Sequence, residues 1–180
     1  MKILKYLLIG LLSLIVLALI AGLFMKTEYA IERQITINKP KVEVFEYVKL
    51  LKNQDNFSVW AMRDPKMKKE FRGEDGTVGC VSAWDSDVKE VGKGEQEIKK
   101  VTEGERVDFE LRFKKPFEAT DNAYFAFTSV DSTQTNVKWG FNGKMKYPMN
   151  LMLLCINMDE MLGKDLDTGL INLKAVLEKK

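Results

Sequence analysis

The chain contains no histidine. That absence removes Ser-His and Cys-His nucleophilic sites, imidazole proton relays and histidine-ligated metals from the chemistry open to it. Cysteine is nearly as scarce. Cys80 and Cys155 show no paired metal-ligand spacing, and two thiols do not make a disulfide scaffold for a domain of this size. Their spacing leaves open whether they pair. A basic surplus is missing as well: outside residues 1–26, 25 basic residues face 26 acidic ones, so there is no electrostatic footprint for nucleic acid.

Long uncharged runs are confined to one place. "YLLIGLLSLIVLALIAGLFM", Tyr6 to Met25, holds twenty residues without a charge, enough to cross a hydrocarbon core of roughly 30 Å. A cleaved signal peptide is the competing reading, because Lys2 and Lys5 form a basic head. The run is longer than an h-region, and Ala18-Leu19-Ile20-Ala21 is a poor cleavage site. No cysteine near its end could accept a lipid. Residues 1–26 are therefore expected to be an uncleaved single-pass anchor, and residues 27–180 one domain of ordinary size. Lys26, Arg33, Lys39 and Lys41 on the far side oppose Lys2 and Lys5, so the positive-inside count is divided. The short head favours an extracytoplasmic domain.

The domain starts with a strand pattern almost at once. "YAIERQITI" (29–37) places Ile31, Ile35 and Ile37 on one face, with Arg33 sharing their phase. Pro40, after Asn38, sits at a first helical position, and Val44, Phe45, Val48 and Leu51 follow at helical spacing. A second short helix is expected over 53–60. The period then becomes two. Strands are expected in "MKKEFRG", "TVGCVSAWD" (77–85), "GKGEQEIKKV" (92–101), "RVDFELRFKK" (106–115), "NAYFAFTSV" (122–130) and "TNVKWGFNG" (135–143). In 106–115, Val107, Phe109, Leu111 and Phe113 alternate with Arg106, Asp108, Glu110 and Arg112 without a fault. Seven strands with short turns make an antiparallel meander, whose apolar face must be covered.

The cover is the C-terminal segment. From Pro148, Leu151, Leu154, Met158, Met161 or Leu162, Leu166, Gly169, Leu170, Leu173 and Val176 recur at three- and four-residue steps. This predicts one continuous amphipathic helix of nearly thirty residues, with Asp159, Glu160, Lys164, Asp167, Asn172 and Lys174 on its wet side. Its first half, "YPMNLMLLCINMDEMLG" (147–163), is greasy all round and is expected inside the curl of the sheet. It is too short before Asp159 to cross a bilayer.

This order of elements resembles the helix-grip fold of the SRPBCC superfamily, which includes START lipid-transfer domains and polyketide cyclases. The likeness is to the polyketide-cyclase-like branch and covers residues 28–178. It is carried by "INKPKVEVFEYV", "DNFSVWAMRDP", "DGTVGCVSAWDSDVKEVGKGEQEI", "LRFKKPFEATDNAYFAF", "TNVKWGFNG" and "MDEMLGKDLDTGLINLKAVLE". The fold class so implied is α+β: a curved seven-stranded antiparallel sheet around a long C-terminal helix, with two short helices after the first strand.

The resemblance also implies where a pocket would lie. Trp84, Phe109, Phe113, Trp139, Phe141, Leu154, Met158 and Leu162 are the ligand-binding candidates, with Met149, Met152 and Met161 near them. A filled core needs the same residues; adaptable methionine among large rings favours a cavity for a hydrophobic small molecule or lipid. Three functions compete: a membrane-tethered lipid-binding or carrier domain; a cyclase, dehydratase or hydrolase using the same pocket; and a protein-interaction domain using the outer sheet face. No catalytic constellation, metal or cofactor is expected. An enzyme would need an inward acid such as Asp165, or a tyrosine, Tyr124 or Tyr147, lining the pocket. Arg33 either anchors a ligand acid group or snorkels outward.

Overall fold

Alternation of apolar and polar residues becomes a curved sheet in the computed structural model, which describes residues 2–179 apart from the side chain of Lys2. A lone apolar helix, α1 (Lys2–Gly22), comes first. The strands are β1 (Glu28–Ile37), β2 (Lys68–Arg72), β3 (Val81–Asp85), β4 (Lys93–Thr102), β5 (Arg106–Lys115), β6 (Ala119–Ser129) and β7 (Thr135–Lys144). All seven form one antiparallel sheet in the order β1-β7-β6-β5-β4-β3-β2. Six strands form a meander, and β1 joins its last member. Between β1 and β2 lie α2 (Lys41–Val48), a 3₁₀ turn (Leu51–Asn56) and α3 (Val59–Arg63). The expected helix over 53–60 is thus two pieces with a break at Phe57–Ser58. The third strand starts at Val81 rather than 77, because Gly76 and Gly79 adopt φ of 81° and 88° and loop the chain before it.

The C-terminal helix departs most from expectation. It is not continuous. A 3₁₀ segment (Met149–Leu154) is followed by a break, and α4 (Met158–Glu178) begins only after Asn157. Asn157 caps α4 by accepting a hydrogen bond from the Glu160 N–H at 3.2 Å, satisfying one donor the first turn leaves open. Asp159 and Glu160 add negative charge where the helix dipole favours it. A strong cap in mid-segment starts a helix rather than continuing one. The greasy first half is accordingly outside the sheet: Met149, Met152, Leu154 and Met161 are exposed.

The core lies between the concave face and the helices. Leu166, Leu170, Leu173 and Leu177 of α4, with Val44, Phe45 and Val48 of α2, pack on Ile31, Ile37, Phe109, Phe125, Phe127, Val137 and Trp139. Each fully buried leucine or phenylalanine contributes about 1.5–3 kcal/mol. Phe45 meets Phe127 edge-on, and Phe57 meets both Phe125 and Trp139. Arg33, on the inner phase of β1, reaches the first turns of α4. Its guanidinium donates to both carboxylate oxygens of Asp159 at 3.0 and 2.9 Å, to the Asp159 carbonyl at 3.1 Å, and to Asp167 at 3.0 Å. Gly163 makes room for it, since a β-carbon there would overlap the guanidinium. The contact raises the pKa of Arg33 and holds the Asp159 carboxyl below its ordinary value.

Candidate functional site

Coverage of the concave face is uneven, and that unevenness makes the site. Helix α4 runs along the edge strand β1 and only lightly touches β7. The β2–β5 half is roofed by the small 3₁₀ turn and α3 instead. Between that roof and the sheet lies a cavity of about 300 Å³. Its floor is Phe109, Leu111 and Phe113 of β5, Ala123 and Phe125 of β6, and Trp139 and Phe141 of β7. Trp60 and Ala61 of α3 and Leu162 and Leu166 of α4 close it from above. Trp84 of β3 stands at one side, edge-on to Phe113, with its indole N–H donating to the Val91 carbonyl at 3.1 Å. Gly94 is required below that ring, because a β-carbon there would come within 2.7 Å of the indole.

The wall formed by β2, β3, β4 and the 3₁₀ turn is polar: Lys69, Ser82, Gln96, Gln54 and Asp55. Lys69 and Asp55 are ion-paired at 2.6 Å. Lys89, Glu90 and Lys115 stand at the mouth. The cavity is therefore amphipathic, with an aromatic floor, a hydrogen-bonding wall and a charged rim. It suits a molecule with an apolar body and a polar end.

Of the candidate residues, Trp84, Phe109, Phe113, Trp139, Phe141 and Leu162 are brought together around this space. Leu154 is not: it is 69% exposed on the 3₁₀ segment. Met158 is buried in the core at the start of α4, away from the cavity lining. The break before Asn157 accounts for Leu154, because it turns the preceding segment away from the sheet; Met158 follows the break and packs into the core. Trp60, Phe125, Lys69 and Gln96 were not singled out from sequence. Phe125 shares the phase of Ala123 and Phe127 in β6, so alternation alone could have found it. Trp60 and Lys69 depend on tertiary packing, of α3 against Trp139 and of the 3₁₀ turn against Lys69 through Asp55, which no local pattern encodes.

The acid–base candidates lie elsewhere. Tyr124 is on the outer face, donating to Glu32 under the Arg106 guanidinium. Tyr147 is exposed beside the 3₁₀ segment. Asp165 binds Arg63 at 2.7 Å and does not line the cavity. One buried acid does share the concave face. Asp121, two residues before Ala123, is 5% exposed and accepts the Lys144 N–H at 3.0 Å. Burial raises its pKa. Burial, followed by the Asp121 charge, pushes the nearby Tyr29 phenol up to about 12. Cys80 is buried and Cys155 exposed, and the two are not paired.

On the outer face, charge is neutralised within the sheet. Arg112 binds Glu95, Glu97 and Glu110, and Arg72 binds Glu95 and Glu70. Lys138 binds Glu32. The exposed large apolar side chains are on α1, the loops and the helices, not on this face.

No family model and no curated protein sequence matches the chain. Solved structures do match it. Ginseng major latex-like protein 151 from Panax ginseng has a TM-score of 0.61 at 12% identity, covering 86% of this chain and 100% of its own. Ara h 8.0201 has a TM-score of 0.55 at 11% identity, covering 83% and 97%. Aha1 from Colwellia psychrerythraea, solved as a dimer, has a TM-score of 0.52 at 14% identity, covering 83% and 96%. At such identities the likeness is one of fold. The chain has the helix-grip fold, a curled antiparallel sheet closed by a long C-terminal helix.

Proposed function

We propose that residues 27–180 form a binding or carrier domain for a lipid or other hydrophobic small molecule, tethered to a membrane by residues 1–26. The observation that carries the reading is the amphipathic cavity of about 300 Å³ floored by Phe109, Phe125, Trp139 and Phe141. Rings of that size ordinarily interlock to fill a core; here they border open space. A volume of this order lies at the lower end of small-molecule sites. The tether reading is supported by α1, whose segment Ile3–Gly22 has a mean hydropathy of 2.7 and is unburied by the domain. The shortness of the head before the apolar run, five residues, favours placing the domain outside the cytoplasm. The ordered motifs of residues 28–178 favour the polyketide-cyclase-like branch of the SRPBCC superfamily.

The other two readings have less support. The ionisable groups on the cavity wall are an ion pair, Asp55–Lys69, and the rim residues Lys89, Glu90 and Lys115. Among the described residues, the carboxylates that line the cavity are Asp55, paired with Lys69, and Glu90, and no tyrosine lines it. The outer sheet face presents paired charges rather than the apolar patch that a docking surface would show. Native mass spectrometry of the full chain, extracted from its host membrane in mild detergent, tests the proposal. The expected result is a co-purified apolar ligand, lost on substitution of Trp139 and Phe141 by polar residues of similar size. A bare mass, with no uptake of fluorescent fatty acids or lipids, would overturn it.

A further inference from the structure

Residues 147–156 gather exposed apolar side chains in one short segment. Tyr147, Met149, Met152 and Leu154 all face outward. The opposite side of the segment is fastened to the end of α1. Asn150 is fully buried and donates its Nδ2 to the Gly22 carbonyl at 2.7 Å. That carbonyl is among those the end of α1 leaves without an intrahelical partner. Leu151 packs so closely that a β-carbon on Gly22 would come within 3.0 Å of its Cγ. The exposed apolar side chains are therefore held at the level where α1 ends. Leu23 and Phe24, the latter 87% exposed, lie at the same level. Lys26 and Lys146 flank the group and are exposed.

The cavity opens toward this end. Strand directions put the start of β1, the end of β7 and the β3–β4 and β5–β6 connections at one end of the sheet. Glu90, Lys115 and Pro116 of those connections line the cavity. Phe117 follows them, 70% exposed. A shallower groove shares Trp60, Glu90 and Leu162 with the cavity and reaches Cys155 and Ile156.

Apolar side chains with a tyrosine and flanking lysines, fixed to the end of a membrane-length helix, have the makeup of a segment lying in the headgroup–acyl boundary. We propose that residues 147–156, with Leu23 and Phe24, lie in the lipid interface of the bilayer that α1 crosses and seat the cavity mouth against it. The inference rests on α1 being an uncleaved anchor. The occupant is the bilayer itself: the apolar group is continuous with the end of α1, so immersing one brings the other to the lipid. Ligand would then pass between membrane and cavity along the groove without crossing water.

Cys155, native and exposed, is the probe. The full chain, labelled there with an environment-sensitive fluorophore, is reconstituted into phosphatidylcholine–phosphatidylglycerol vesicles carrying lipid spin-labelled high on the acyl chain. In a Cys155→Ser background, Ser13→Cys reports on α1 and Val130→Cys on the hairpin at the opposite end of the sheet. An interfacial segment sits ~5–10 Å into the boundary, so quenching at Cys155 is expected at least about twofold stronger than at Val130→Cys. Quenching at Ser13→Cys without quenching at Cys155 would overturn the inference while leaving the anchor intact, and would assign the apolar group to a protein partner or a second copy. Equal quenching at Cys155 and Val130→Cys would overturn it as well. Absence of quenching at all three sites would remove the anchor and the inference together.

Discussion

Ala123 is the point at which the cavity can be tested without disturbing the frame around it. In the sheet it stands between Phe109 and Phe141, its register partners on β5 and β7, and its methyl group borders the open space. Measured protein cavities cost about 24 cal/mol per Å³, so a sealed, dry space of about 300 Å³ would cost about 7 kcal/mol. That is a ceiling, because this mouth is open and its polar wall admits water. Ala123→Leu adds three carbons to the space. At ~0.8 kcal/mol per buried methylene the variant should gain about 2 kcal/mol when no ligand is bound. For a domain of this size that corresponds to a rise in Tm of about 4–8 °C. The same substitution should weaken uptake of a fluorescent fatty acid by about tenfold or more, equivalent to ~1.4 kcal/mol of binding. Calorimetry on delipidated protein and a ligand titration read the two effects. A fall in Tm with undiminished uptake would refute the reasoning, since overpacking costs ~1–3 kcal/mol only where space is already filled.

Gly169→Leu should cost about 1–3 kcal/mol in urea unfolding. A β-carbon there meets Trp139 Cζ3 at 2.6 Å, and that ring is locked by Phe57, Trp60 and Phe125. An unchanged midpoint would mean that α4 does not pass so close to the sheet. Met158→Lys should destabilise by about 3 kcal/mol or more, because it puts an unpaired charge at a buried position. Since Met158 does not line the cavity, ligand affinity of the remaining folded protein should be unchanged, and a lost affinity would place Met158 in the site. Asp121→Asn should stabilise the protein near neutral pH. The folded pKa of Asp121 is raised, so its ionisation opposes folding as pH climbs above the unfolded value of about 3.9. Below that value both states are protonated and the difference between variant and parent should vanish. Parallel stability curves from acid to neutral pH would show that Asp121 does not titrate abnormally.

Alternation carried most of the fold. The strand over 106–115 is legible residue for residue, since each inward apolar residue is matched by an outward charge and no glycine interrupts it. Where glycine intervenes, as at Gly76 and Gly79, residues of strand-like composition form a loop instead, and the pattern overshoots. The C-terminal helix shows a different limit. Apolar spacing runs unbroken from Leu151 to Val176, yet the Asn157 cap decides where the helix starts, and one local hydrogen bond outranks the periodicity. Six of eight candidate residues meet around the cavity: Trp84, Phe109, Phe113, Trp139 and Phe141 through strand phase, and Leu162 through the phase of α4. Leu154 and Met158 lie outside its lining: Leu154 precedes the Asn157 break, and Met158, in the first turn of α4, packs into the core. The polar wall was illegible for a further reason. Lys69, Gln54 and Asp55 converge only through tertiary packing of the 3₁₀ turn on β2.

Five residues, 23–27, separate α1 from β1. Fully extended they span no more than ~18 Å. For a domain held by α1, meeting a lipid is then an intramolecular event, and its effective concentration is set by the tether rather than by diffusion. Occupancy of the cavity would follow the mole fraction of ligand in one leaflet and not the amount dissolved in the surrounding water. Release would be governed in the same way: a ligand set free beside its own membrane is recaptured before it travels. Net transfer by a domain so tethered would therefore require an acceptor that comes to it, because such a domain would have no reach beyond its own bilayer.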